Sequence, residues 1–293
     1  MPNSQIIVNA VVTASSVMLV GSGFLLIYRT TRFFHFAHGL VFASSAYFVF
    51  LLTSWFTFPI VTAAFLAVVF AAAIGCLMDI LVYRPLRHRR ASPLVLLLAS
   101  LGLYVLLQNG ISMVFGDDTK SIRSGVVTEG IAVWGARVTP IQITTICVSA
   151  ALVALLLVLL RRTRMGRAMR AVANDPELAL VSGINSDRVI LWAFGVGSAL
   201  AGVAGILAAL DVDMTPTMGM NALLLGVVAV IVGGIDSIPG LVMGALLVVL
   251  AQQVGAWYVG SQWQDAIVFV ILLAFLLVRP QGFLGREIKK ATV

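Results

Sequence analysis

The sequence is short of almost everything a soluble or catalytic protein relies on. Charged residues make up 11% of its 293 positions, against about 25% in an ordinary globular domain. A chain so composed cannot cover a water-facing surface. Three histidines and two cysteines are all it offers for metal ligation or thiol chemistry. His35 and His38 lie three apart, a spacing that puts both on one helix face beside a membrane entry. No cysteine or carboxylate stands near them in sequence, and a zinc site needs more ligands than two. They read as interfacial or hydrogen-bonded histidines. Cys76 and Cys147 fall inside apolar runs and read as packing residues without a disulfide. No Gly-x-x-x-x-Gly-Lys-Ser/Thr loop is present, so the chain cannot cradle nucleotide phosphates. Long paired heptads and a catalytic constellation are also missing. These absences exclude an enzyme and a resident cofactor from the expectation.

What the chain has instead is apolar length. Hydrophobic residues make up 60% of it. Eight apolar stretches cover 6–28, 39–52, 61–82, 93–114, 141–160, 189–210, 223–254 and 265–278. Such continuous runs fit membrane-crossing helices of about 20 residues rather than the alternating strands of a barrel. The fold class is therefore all-α: a polytopic transmembrane bundle of about 8–9 membrane segments, forming one domain over 1–293. The second stretch is short, and Phe33 to Phe36 extend it. No basic segment precedes the first run, which reads as a retained span rather than a removed signal.

The net charge of +7 would suggest nucleic acid in a soluble protein. Here sixteen of the nineteen Lys and Arg fall into four clusters between apolar runs. They are Arg29/Arg32, Arg84/Arg87/Arg89/Arg90, the arginines of 161–188, and Arg279/Arg286/Lys289/Lys290. Basic residues are retained on the cytoplasmic side of a bilayer, so no nucleic-acid partner is expected. The seventh stretch is too long for one span and is interrupted by Gly233-Gly234-Ile235-Asp236-Ser237-Ile238-Pro239-Gly240. One glycine ends a helix; Ser237 caps the next and Pro239 suits its first turn. Read as a hairpin of 223–232 and 239–254, or as a re-entrant segment, this stretch puts all sixteen clustered cations inside. The N-terminus then lies outside and the C-terminus inside.

Polar groups within the spans are few. Asp79 lies near Arg84 at the inner end of its span, and pairing or snorkelling explains it better than a proton relay. Gln108, Asn109 and Asn221 are the candidates for lining a translocation path, with interhelical hydrogen bonds as the alternative. Gly197, Ala201 and Gly205, with Ser198 and Gly202 alongside, form a small-residue stripe that fits close static packing better than a moving interface. The outer loop 115–140, with Asp117, Asp118 and Glu129, is either a docking surface or a solvated connector.

The inner loop 161–188 has more definite punctuation. The fifth span runs on past the bilayer through Ala168, Met169, Ala171 and Val172. A new helix then starts, with Asp175 as N-cap, Pro176 at its first position and Glu177 favouring the dipole. Gly183 stops it. This short capped helix presents Leu178, Ala179, Val181 and Ile184 on the cytoplasmic side, as a knob for a partner groove or an amphipathic turn on the membrane.

Four segments carry a family resemblance. They are Arg32-Phe33-Phe34-His35-Phe36-Ala37-His38-Gly39; Tyr83-Arg84-Pro85-Leu86-Arg87; Gly166-Arg167-Ala168-Met169-Arg170-Ala171 through Asp175, Ala179 and Gly183-Ile184-Asn185; and the 233–240 turn with Arg279-Pro280-Gln281-Gly282. In this order the chain resembles the permease subunit of branched-chain amino acid ABC importers, the LivH-type family. The resemblance implies that 176–182 is a coupling helix gripped by an ATPase, with Arg167, Ala171, Asp175, Leu180 and Gly183 as the coupling residues. It implies ATP bound by two cytoplasmic ATPase subunits, a second permease subunit (LivM-like or the same chain) and a periplasmic solute-binding protein, all at a bacterial inner membrane. The chain departs from the family pattern at His35, Leu40 and Asp236, which bears on substrate rather than fold. Urea or short amides are the alternative cargo. A stand-alone channel or secondary transporter is the alternative mechanism.

Overall fold

The computed structural model describes residues 2–122, 130–133 and 135–285. Along the chain, α1 (Pro2–Thr31), α2 (Ala37–Ser54) and α3 (Ile60–Met78) are followed by a π-helical turn (Asp79–Tyr83), the short α4 (Arg84–His88) and α5 (Pro93–Phe115). A two-stranded antiparallel hairpin, β1 (Ile131–Val133) and β2 (Ala136–Val138), precedes α6 (Pro140–Arg162). Then come α7 (Arg164–Asn174), α8 (Pro176–Val181), α9 (Ser186–Asp211), α10 (Met218–Gly233), α11 (Ile238–Tyr258) and α12 (Gln264–Val278). Among the described residues, eight helical segments are long and apolar enough to cross a membrane, and α10 is a shorter apolar helix. Arg123 and Glu129 of the outer loop, and Arg286, Lys289 and Lys290 of the last basic cluster, lie outside the described residues.

Many helix starts follow from a local device that the sequence spells out. Ser92 caps α5 through the Val95 amide, with Pro93 in the first turn. Thr139 and Gln142 form a reciprocal capping box ahead of α6, with Pro140 at its start. Ser237 accepts from the Gly240 amide at 3.1 Å to open α11. Proline costs nothing at these positions because its missing N–H has no helical partner there. Gly234 closes α10 at φ +107°, where a side chain is strained.

Contacts between the chain's loops sort into two ends. At one end Gln5 exchanges hydrogen bonds with the Arg137 backbone, and Lys120 bridges Met214. At the other, Arg32 donates to the Ala173 carbonyl at 2.6 Å, Arg29 faces Asp236 at 3.8 Å, and the Phe283 and Leu284 amides close on the Val232 and Gly233 carbonyls. The second end holds Arg29, Arg32, Arg84, Arg87, Arg161 and Arg170, the end that the bias of basic residues expects at the cytoplasm. The turn between α10 and α11 sits at this end, while α10 begins four residues after the outer bridge at Met214. So α10 and α11 run between the two ends in opposite directions, the arrangement of the hairpin reading. With 16 residues, α10 spans about 24 Å, short of the roughly 30 Å hydrocarbon core.

The core is built around α9. Its small-residue stripe presses against α1, α2 and α3 almost backbone to backbone. A Cβ on Gly197 would meet the Gly23 carbonyl oxygen at 2.8 Å, and one on Gly202 would meet Ser45 Oγ at 2.9 Å. Gly205 lies against the Phe42 carbonyl, and Gly75 of α3 against Ser198. Close approach of this kind gives helices in lipid their van der Waals contact. In this structure the stripe packs within the one chain. Gly205→Val should therefore destabilise the folded chain by about 1–3 kcal/mol through overpacking, read as a lower melting temperature in detergent. An unchanged melt would show that α2 and α9 can part without cost. The outward faces are apolar: Val61, Phe65, Leu98, Leu106, Leu155 and Leu277 are all exposed. In water such a surface would aggregate; in a bilayer it is the solvent-matched face.

Two expectations need correction here. Phe33 to Phe36 do not extend the second span; they form a non-helical return between α1 and α2. His38 in the first turn of α2 then meets the Val20 carbonyl at 3.2 Å, nearly three turns back from the inner end of α1. The fifth span also does not run on past the bilayer. It stops at Arg162, and Thr163 adopts extended backbone and caps a separate helix.

Candidate functional site

The inner loop between α6 and α9 is a built structure. Thr163 donates to the Leu159 carbonyl at 2.7 Å and accepts from the Gly166 amide at 3.0 Å. Gly166 itself lies against the Leu159 and Leu160 carbonyls, where a side chain would clash. This lets α7 fold back beneath the end of α6. Its apolar positions Met169, Val172 and Ala173 face the bundle, while Arg164 and Arg167 face out. Arg170 caps the end of α6 by donating to the Leu160 carbonyl, and Arg32 ties the end of α7 to α1.

Asp175 then starts α8. Its Oδ1 accepts from the Glu177 and Leu178 amides at 2.9 and 3.0 Å. At the other end Gly183 has φ +82°, its amide meets the Leu180 carbonyl, and the Ile184 amide meets the Ala179 carbonyl at 2.9 Å. This pair of bonds is the Schellman closure that a left-handed glycine permits. Asn185 caps α9 in turn, through the Arg188 amide at 3.1 Å. A helix of six residues has no stability of its own; here both ends are held.

The knob it presents differs from the expected one. Ala179 is 4% exposed and faces the bundle, whereas Leu178, Leu180 and Val181 are 64%, 63% and 86% exposed. Ile184 is half-buried. The reason is geometric: on so short a helix the single position packed into the core fixes the rest, and Leu180 replaces Ala179 on the outer side. Of the other expected coupling residues, Arg167, Asp175 and Gly183 are exposed and Ala171 is half-buried.

Behind this loop, ion pairs anchor α9. Asp187 in its first turn meets Arg84 at 3.3 Å, Arg87 at 3.5 Å and His88 at 2.8 Å. Arg87 also pairs with Asp79 at 2.5 Å, and the Asp79 side chain is 1% exposed. The pairing expected for Asp79 is present, with Arg87 as its direct ion-pair partner. The π-helical turn that begins at Asp79 lies between the two residues, and no sequence period announces it. His35 and His38 are both fully buried, not interfacial. The Tyr83 hydroxyl meets His35 Nδ1 at 3.0 Å. Among the described residues no three His, Cys, Asp or Glu come together as a metal site.

The path candidates are not gathered in one cavity. Asn109 is exposed on α5 and donates to the Val105 carbonyl of its own helix at 2.8 Å; Gln108 beside it is half-buried. Asn221 lines a crevice between α10 and α12 with Asp265 and Phe269. Two cavities escaped the sequence reading. One of about 500 Å³ lies between α2, α3 and α5 and is lined by Tyr47, Phe48, Phe70, Leu103 and Phe115. Another of about 270 Å³ lies between α1, α6, α9 and α10, with Asp211 and Asp213 among its lining residues. Neither has a linear signature, because the walls come from helices far apart in sequence.

Comparison with known proteins gives a consistent answer. Residues 6–276 match the family described as the permease component of the branched-chain amino acid transport system. The chain is 33% identical to the high-affinity branched-chain amino acid transport system permease protein LivH of Escherichia coli, over 96% of each chain. It is 32% identical to LivH of Salmonella typhimurium, again over 96% of each. It is 31% identical to the corresponding permease protein BraD of Pseudomonas aeruginosa, over 98% of this chain and 97% of the relative. No solved structure matches. A multi-pass membrane bundle with relatives matched end to end leaves one assignment: the chain belongs to the family of permease components of branched-chain amino acid transport systems.

Proposed function

We propose that this chain is the membrane-embedded subunit of an ABC importer for branched-chain or other hydrophobic amino acids at the inner membrane. Two separate cytoplasmic ATPases would supply ATP hydrolysis, and this chain would hold no nucleotide and catalyse no reaction. A second permease subunit, LivM-like or a copy of this chain, would complete the path. A periplasmic solute-binding protein would deliver the cargo. The observation that carries this reading is α8: a helix capped at both ends, braced on the bundle through Ala179, and exposing Leu178, Leu180 and Val181 at the basic end. Exposed apolar groups on a fixed short helix fit insertion into a groove of another protein. Closure of the ATPases would then push or pull α7 and α8 as one piece against α9. The aromatic and aliphatic lining of the cavity between α2, α3 and α5 supports hydrophobic amino acids over urea or short amides.

The test is uptake of radiolabelled L-leucine into proteoliposomes. The chain assembled with ABC ATPases, a second permease and a solute-binding protein should transport only with ATP inside the cytoplasmic-equivalent compartment. The purified chain alone should transport nothing. ATP-independent uptake by the chain alone would replace the proposal with a stand-alone transporter.

A further inference from the structure

We propose that His35 and His38 hold a single buried water between them, closing a hydrogen-bonded relay that runs from Tyr83 to the backbone of α1. Both rings are fully buried. One nitrogen of each, His35 Nε2 and His38 Nδ1, has no hydrogen-bond partner among the described residues. The other nitrogen of each is engaged, and its partner fixes where the proton sits. His38 Nε2 meets the Val20 carbonyl at 3.2 Å. A carbonyl only accepts, so Nε2 carries the proton and Nδ1 is left as an acceptor. His35 Nδ1 meets the Tyr83 hydroxyl at 3.0 Å. Were Nδ1 the donor there, the hydroxyl proton would need an acceptor of its own, and among the described residues Tyr83 makes no other side-chain hydrogen bond. With the hydroxyl donating, His35 carries its proton on Nε2. The two unpartnered nitrogens are therefore one donor and one acceptor. Neither ring pairs with a carboxylate among the described residues, unlike His88, and an unpaired charge in the core is costly, so both rings are neutral.

The spacing of the rings calls for a bridge. Their centroids are 5.9 Å apart. A ring nitrogen sits about 1.2 Å from its centroid, so facing nitrogens stay roughly 3.5 Å or more apart, beyond a direct bond. One water spans such a gap, accepting from His35 Nε2–H and donating to His38 Nδ1. Buried waters occupy places of this kind because they satisfy polar groups that the fold leaves unpaired. The donors then all point one way: Tyr83 to His35, His35 to water, water to His38, His38 to the Val20 carbonyl. These members come from the π-helical turn, the non-helical return, the first turn of α2 and the middle of α1. The rings of Phe33, Tyr83 and Phe194 pack on His35 at 6.1, 5.2 and 5.1 Å between centroids, and shut the relay off from bulk solvent. The relay pins the return between α1 and α2 to two other segments. His35 and His38 are positioning residues, and their role is the same whichever cargo moves.

Solid-state NMR of the full chain in lipid bilayers, with 15N-labelled histidine, tests this. The chain has three histidines, and His88, exposed and paired with Asp187, is the solvent-facing reference. His35 and His38 should each show one neutral tautomer, protonated at Nε2 and bare at Nδ1. Each should also show a contact to a water proton that survives suppression of the bulk water signal. Tyr83→Phe keeps the ring packing and removes the donor to His35 Nδ1. It should release the His35 tautomer to a roughly even mixture while His38 keeps its own, a change that a purely space-filling tyrosine would not produce. His35→Gln retains a carbonyl for Tyr83 and an N–H for the water, and should keep the water contact at His38. His35→Leu should lose that contact, with the His38 ring N–H exchanging about tenfold or more faster; if this variant does not fold, Tyr83→Phe decides. A protonated Nδ1 on His38, no bound-water contact at either ring, or an unchanged His35 tautomer in Tyr83→Phe would overturn the proposal.

Discussion

Asp175→Arg is expected to abolish ATP-driven uptake, by tenfold or more, while leaving the chain inserted in the membrane. The substitution removes both amide caps at the start of α8, worth about 1 kcal/mol. It also places a cation at a helix N-terminus, which the dipole opposes by about 0.3–1 kcal/mol. For a long span these costs would be minor. For a six-residue helix with one buried side chain they decide whether it forms. Gly183→Val should act from the other end, because a β-branched residue at φ +82° costs of order 1–3 kcal/mol. Leu180→Asp provides the separating control. It leaves both caps intact and alters only an exposed apolar group, so it should block ATPase copurification without loosening the loop. Normal uptake in all three variants would dismiss α8 as the coupling element.

The second large effect concerns stability. Arg87→Ala should destabilise the folded chain by about 3–5 kcal/mol, the cost of leaving a buried carboxylate without its counter-charge. Asp79 is 1% exposed, and Arg87 is its partner at 2.5 Å. The same arginine reaches Asp187 at 3.5 Å, so its loss also loosens the start of α9. Replacing the pair together, Asp79→Leu with Arg87→Met, should recover most of the stability, since apolar groups of similar size often match a buried ion pair. Thermal unfolding in detergent measures both. If the single variant melted within a degree or two of wild type, Asp79 could not be an isolated buried charge once Arg87 is gone.

Much of this was legible in the chain itself, for reasons that are local. An apolar run long enough to cross a bilayer is a statement about solvent, and it holds whatever the packing. Caps are equally local: Ser237, Thr139, Ser92 and Asp175 act on amides two or three residues ahead, and each does so here. The hairpin at 233–240 followed from glycine, serine and proline in the right order. The small-residue stripe of α9 was visible as a pattern, though not the helices it meets.

The misreadings share one cause, which is long-range contact. The segment 33–36 is apolar enough to continue a helix, yet it bends back so that His35 can reach Tyr83, 48 residues away. The end of α6 is a good helix former, yet Thr163 and Gly166 turn it because α7 can bury Met169 and Val172 underneath. On α8 the sequence offered several apolar side chains, and only packing into the core selected Ala179 as the inward one.

Alone, the sequence determined that this chain lives in lipid, and that a short capped helix stands between the fifth and sixth long spans. Those properties depend on solvent transfer, charge and hydrogen bonds within a few residues. Tertiary structure decided which side chains that helix exposes, which arginine neutralises Asp79, and that Arg29, Arg32, Arg161 and Arg170 line one cavity. Such features depend on distances between segments up to 207 residues apart, as with Arg29 and Asp236, and only the packed bundle sets them.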